Sequence, residues 1–326
     1  MRLVHRSLLY LASAVSLSLA ACGGGDDGDE GDDGGGPVVG EHHQYVVSKM
    51  TLPEGANTAL KLDIDGNGTK ENKLGNILFA LTSQSQGQLD LQASLDRGVN
   101  NGDITLLTDV QATDLGTAKD AGLRVFLGEI VSPEACLDPE DDTTCGKHLL
   151  GTGMFTATAN DSLVAGDIVG GRFTGGPGKL TLQLSLEGTL IALNLINAKA
   201  ELTVTADGIM NGLVGGAITK DELDTNVIPA IATTVDGIVK GDCTEPNPTP
   251  PACGCPASST GKTLLGLFDT APEDCSISLE EIRENSFIKT VLGPDLDILD
   301  PKGQNESLSV GVGITSVKAT YAQPPE

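Results

Sequence analysis

In KLTLQLSLEG, Leu180, Leu182, Leu184 and Leu186 alternate with Thr181, Gln183 and Ser185, the period of a strand with one face buried and the other wetted. GTGMFTATA, SLVAGDIVGGRF, TLIALNLINA, KAELTVTAD and IMNGLVGGAI surround it, each short and each ended by a turn or a change of polarity. Six consecutive strand candidates without a long helical insert predict antiparallel pairing, because a parallel crossover needs about a dozen residues. YVVSKMTL opens the folded part, ITLLTDVQA and GLRVFLGEI add strands, and SLSVGVGITSVKATY closes it with Val310, Val312, Ile314 and Val317 alternating. The expected fold is mainly β with accessory helices (α+β): an antiparallel curved sheet, sandwich or barrel, with helices packed at its ends. Glycines inside these segments, among them Gly153, Gly170, Gly171, Gly212 and Gly215, point to bulges, bends or close backbone contacts.

Other stretches carry the helical period. Leu74, Ile77, Leu78 and Leu81 fall at i, i+3, i+4 and i+7, and Leu91, Leu95 and Val99 predict a second helix closed by Asn100, Asn101 and Gly102. Thr219 with Glu222 matches a capping box before a stripe of Leu223, Val227, Ile231, Val235 and Ile238, which Pro229 should kink or split. Ser278 with Glu281 forms another box before Ile282, Phe287, Ile288 and Val291.

The first residues follow neither period. A basic head with Arg2 and Arg6 joins an apolar run from Leu8 to Ala21, too short for a transmembrane span and suited to secretion. Leu19, Ala20, Ala21 and Cys22 resemble the lipobox of bacterial lipoproteins. The resemblance implies a signal peptide over 1–21, acylation of Cys22, and a lipid bilayer as partner through that residue. Gly23 after the cysteine implies outer-membrane sorting. The Gly and acid run over 22–43 offers nothing to bury and reads as a disordered tether, leaving 44–326 as a single β-rich domain. With the lipobox, the tether, the Gly-rich strands and the terminal VGVGITSVKATY resemble acidic envelope lipoproteins of Gram-negative, particularly myxobacterial, bacteria, a likeness that implies no substrate or reaction.

The chain of 326 residues holds 20 Lys plus Arg against 45 Asp plus Glu, so nucleic acid is excluded as a partner for want of a basic footprint. With aromatics at 3%, a groove would be aliphatic, without stacking platforms for sugars or bases. Setting Cys22 aside leaves Cys136, Cys145, Cys243, Cys253, Cys255 and Cys275, the even number that a disulfide framework requires in an exported protein. Cys136 and Cys145 should pair across LDPEDDTT. The other four clamp a loop over 243–275, and Cys253 and Cys255 each reach Cys243 or Cys275. A four-thiolate zinc site is the rival, but gaps of ten, two and twenty residues are not the usual knuckles.

The strongest chemical motif is DIDGNGTKEN. Asp63, Asp65 and Asn67 offer oxygens at alternate positions, Gly68 permits the turn, Thr69 offers a carbonyl, and Glu71 is ninth. This resembles the first nine positions of a DxDxNG calcium loop, although position twelve is Leu74 rather than Glu. An Asx-rich turn before a helix is the alternative account. LDILDPKGQNE, with Asp295, Asp297 and Asp300, reads as a degenerate copy spoiled by an insertion and Pro301.

No GxSxG or HExxH occurs, and no pair of acids is singled out for glycoside chemistry, so no catalytic residue is assigned. His42 and His43 adjoin the tether, and His148 is expected to face solvent. Gly261, Lys262 and Thr263 resemble the end of a P-loop, but Pro256 stands where its first glycine belongs. The function expected is therefore an outer-membrane-anchored cell-envelope lipoprotein, periplasmic or surface-facing, acting as a non-enzymatic binding or scaffold module for another envelope protein and stabilised by calcium. A carrier of a small apolar ligand is the alternative, and an exported hydrolase the third.

Overall fold

The computed structural model describes residues 37–53, 60–84, 90–138, 141–186, 189–244, 249–270, 272–299 and 306–324. Cys22, most of the tether and Asp300 lie outside them.

Among the described residues nine strands form one sheet: β1 Glu41–Thr51, β2 Leu106–Ala112, β3 Thr117–Ser132, β4 Gly153–Thr158, β5 Leu163–Val169, β6 Arg172–Leu186, β7 Thr189–Thr205, β8 Gly208–Thr219 and β9 Ser307–Ala322. Eight of them close a ring in the order β1-β2-β3-β5-β6-β7-β8-β9, and β9 returns to β1 through the register Tyr45↔Lys318 to Thr51↔Gly313. The mainly antiparallel barrel thus removes its free edges by closure. Residues at every second position fill it: Tyr45 and Val47, Leu123 and Val125, Leu180 and Leu182, Val310 and Val312.

β4 adds a second closure. Its two neighbours are β3, antiparallel, and β9, which it meets in parallel between Gly153↔Ala319 and Thr156↔Ala322, the one departure from the expected pairing among the described strands. The circuit β1-β2-β3-β4-β9 encloses its own small core, with Val46, Leu107, Phe126, Phe155, Ala319 and Tyr321 drawn from all five strands. Val46 and Leu107 point to the opposite face from Tyr45 and Leu106, so β1 and β2 form a wall shared by two cores.

Three strand boundaries differ from the sequence reading. β1 begins at Glu41 rather than Tyr45, so Glu41, His42 and His43, expected as the end of the tether, are paired with Ala112, Gln111 and Val110 of β2. SLVAGDIVGGRF contains a hairpin turn at Gly170 and Gly171, both at positive φ, and Arg172 already starts β6. TLIALNLINA and KAELTVTAD are one strand, β7, interrupted by a bulge between Ile196 and Lys199 where Asn197 has φ +50°. The buried positions switch there from Ile191, Leu193 and Leu195 to Ala198, Ala200 and Leu202, and this change of parity mimics a strand end.

The helices are α1 Lys73–Gln84, α2 Leu91–Asn101, α3 Lys220–Glu222, α4 Ile228–Asp242, α5 Thr260–Phe268, α6 Leu279–Glu284 and α7 Ser286–Val291. α2 ends as expected, at Gly102 in the left-handed region. Thr219 Oγ1 accepts from Glu222 N, yet the Glu222 carboxylate binds the backbone and side-chain amides of Asn194, so only half of the first capping box forms. The interruption expected at Pro229 is a π-helical turn, Leu223–Val227, after which the proline occupies the first turn of α4, where its missing N–H is harmless. The second box, Ser278 and Glu281, is complete.

Connections 112–117, 169–172 and 205–208 are short turns at one end of the barrel, where the described chain also begins; the helices attach at the other. Disulfides join Cys136 to Cys145, Cys243 to Cys255 and Cys253 to Cys275, so these six thiols are not free to hold zinc. His148 does not face solvent. It is fully buried edge-on to Phe155, which lowers its pKa by desolvation. Among the described residues no helix is long and apolar enough to cross a membrane.

Candidate divalent-cation site

The segment between β1 and α1 is folded by its own alternation. Leu62 and Ile64 bury themselves in a satellite cluster with Ala217 and Leu296, which leaves Asp63 and Asp65 on the other side of the chain. A backbone pair, Glu71 N to Leu62 O at 2.9 Å and Leu62 N to Glu71 O at 3.4 Å, closes the loop. β7 holds it from beneath: Asn197, at the bulge, donates through Nδ2 to Ile64 O at 2.6 Å, and Lys199 Nζ donates to Asp63 O. Gly66 and Gly68, at φ +77° and +88°, make the reversal.

Within this frame, one carboxylate oxygen each of Asp63, Asp65 and Glu71 lies within 4.8 Å of the others. Gly68 N donates to Asp63 Oδ2 at 3.2 Å and Asn67 N to Asp65 Oδ1 at 3.1 Å, but Asp63 Oδ1 and Glu71 Oε2 are buried with no hydrogen-bond partner. Asn67 Nδ2 donates to Asp65 Oδ2 at 2.7 Å while its Oδ1 accepts from Thr69 N at 2.7 Å. Three of the five predicted ligands are therefore brought together, and Asn67 and Thr69 are exposed beside them, bonded within the loop. The Glu71 carboxyl is pushed above its ordinary pKa, first by burial and then by Asp65, with Asp63 and Asp295 adding to it and a backbone bond at Ile64 opposing. Lys70 and Lys199 flank the cluster, but Lys70 stands 3.8 Å from Glu201 and Lys199 is held on a carbonyl. Crowded carboxylates with orphaned oxygens are the electrostatic complement of a divalent cation.

The degenerate copy has a different role. Asp295 accepts from Ser309 N at 2.8 Å and Ser309 Oγ at 2.6 Å, fixing the start of β9, and Leu296 packs into the same cluster as Leu62. The P-loop likeness ends in an occupied helix terminus, since Gly261 N donates to Asp242 Oδ2 at 2.7 Å and Ser259 Oγ caps Lys262 N at 3.2 Å.

One polar group went unseen in the sequence. Asp109, wholly buried on the small-core face of β2, meets His42 Nδ1 through Oδ2 at 2.6 Å, while its Oδ1 and the nearby Tyr321 hydroxyl have no hydrogen-bond partner. Burial raises the Asp109 pKa, against the opposing effect of His42 and Arg124. An acid inside LLTDVQA was the visible signal. Its partner lies 67 residues away, beyond any local pattern.

At the helical end of the barrel an apolar cavity of about 90 Å³ lies among α1, the π-helical turn, α4 and the ends of β6 and β7.

Comparison of the chain with protein-family models, with curated proteins and with solved structures finds no match.

Proposed function

We propose that this protein is a cell-envelope lipoprotein, anchored in the outer membrane through acylated Cys22, whose barrel is a non-enzymatic binding or scaffold module for another envelope component and is stabilised by calcium. The observation that carries the cation is the cluster of Asp63, Asp65 and Glu71 with its unpartnered buried oxygens. All three donors are hard carboxylate oxygens on a glycine-turned loop, a set suited to calcium rather than to thiophilic or imidazole-seeking metals. Bound there, the ion would neutralise mutual repulsion and fasten the β1–α1 connection to β7. Asn67 and Thr69, exposed on the same loop, would add neutral oxygens once the bonds of the Asn67 amide within the loop give way.

The non-enzymatic reading rests on the surroundings of the reactive groups. The six described cysteines are in disulfides, and His42, paired to Asp109 through one ring nitrogen, has no hydroxyl or thiol hydrogen-bonded to the other among the described residues.

Native mass spectrometry of the full chain extracted from its own envelope, with and without chelator, tests this reading. Acyl groups on Cys22 and one calcium mass are expected, the latter lost on chelation and missing from an Asp63→Ala, Asp65→Ala variant. An unacylated full-length chain in the cytosol would overturn the anchor, and a native protein that never carries the ion despite calcium supply would overturn the site.

A further inference from the structure

The cavity at the helical end of the barrel stands apart from the cation loop and does not depend on it. Its walls come from α1 (Ile77, Leu78), the end of the β6–β7 hairpin (Ile191), the π-helical turn (Leu223, Val227) and α4 (Ile231). Among the described residues no aromatic side chain lines it, and the one hydroxyl-bearing wall residue, Ser185, is itself buried.

We propose that this cavity receives the tip of an unbranched hydrocarbon chain, such as the acyl tail of a fatty acid or of a membrane phospholipid. The chemistry of the lining selects the class. A polar group drawn into it would lose its hydration with no partner to replace it, whereas methylenes lose nothing and gain contact with the aliphatic side chains that line it. A flat ring finds no stacking surface among the described wall residues. Size selects the depth: about 90 Å³ is well below the roughly 150 Å³ of a cavity that encloses a benzene molecule. Only the last few carbons enter, so the carboxylate or headgroup stays in solvent. The position, in the mouth of a barrel beneath helices, is one where apolar ligands are commonly taken up. Leu223 and Val227 belong to the π-helical turn, so the widest turn of the helical segment borders the ligand, as such turns often do at binding sites.

Photo-crosslinking of the full chain tests the proposal in two arms: decanoic acid carrying a terminal diazirine, and a phosphatidylcholine vesicle whose lipid carries the same group at the end of one acyl chain. After irradiation, adducts are expected on peptides containing Ile77, Ile191 and Leu223 to Ile231. The arm that gives them identifies the source of the chain. Ile231→Phe, which fills the space, is expected to lower adduct yield about tenfold with the melting temperature kept or raised. Leu223→Ala, which enlarges the cavity, is expected to raise the yield, and serves as the deciding variant if Ile231→Phe fails to fold. Adducts scattered over the surface, adducts on a different patch, or a yield unmoved by either folded variant would overturn the assignment.

Discussion

At Glu71, burial and neighbouring carboxylates hold the proton more tightly than water would. Because the folded pKa lies above the unfolded one, this group's contribution to stability is complete below the ordinary carboxylate range and is lost as pH rises through the raised folded value. Chelated protein therefore loses stability at this site on going from mildly acidic to neutral pH, and a cation restores it. Glu71→Gln is expected to raise the melting temperature of the chelated protein at neutral pH and to diminish the further rise on adding calcium; calorimetry with and without chelator at pH 5 and pH 7 measures both. An unchanged calcium response in this variant would show that Glu71 is not a ligand. The three carboxylates were legible because alternation and glycine spacing act within nine residues. The Asp109–His42 pair was not, since it joins β1 to β2 across 67 residues of chain, nor was the burial of His148, which depends on its ring packing edge-on to Phe155 at the small core. Asp295 resembled a ligand by composition alone, and the hydroxyl and amide of Ser309 take both of its oxygens.

Among the elements, helices were read well wherever apolar spacing and a cap agreed, as in α2 and at the Ser278 start, and less well where a side chain found another partner: Glu222 turned to Asn194, and Asn285, capping Phe287 N and Ile288 N, split the single helix expected after Ser278 into α6 and α7. α5 escaped notice because its nine residues begin at a short P-loop-like GKT and are held by Asp242 and by disulfides on either side. Those bridges fasten the C-terminal end of α4 to the segments around α5, so helix packing there depends on the crosslinks. Removing the 22-residue loop closed by Cys253 and Cys275, through Cys253→Ala with Cys275→Ala, is expected to cost about 3 kcal/mol in urea denaturation. The calcium response should persist, because the cation loop is fastened to β7 and not to these helices. Its disappearance would mean that the helical end and the loop unfold as one.

For the whole molecule, alternation identified nearly every strand, while nothing local could announce that eight would close one ring and that β4 would close a second against the same wall. That information lies in long strands such as β3 and β9, which change neighbours along their length. The double closure also settles how the barrel meets mechanical load. A pull arriving through the N-terminal segment is directed along β1, which is bonded to β2 on one edge and β9 on the other, and Gln44 clasps the backbone of Tyr321 with both ends of its amide. Drawn against a handle at Glu273 in the helical half, these ladders must slide in shear; drawn against Gln323, which leaves the barrel beside it, they part bond by bond. Single-molecule stretching should record the higher rupture force in the first geometry, the direction of load on the anchored domain proposed above when something bound at its far end is carried away.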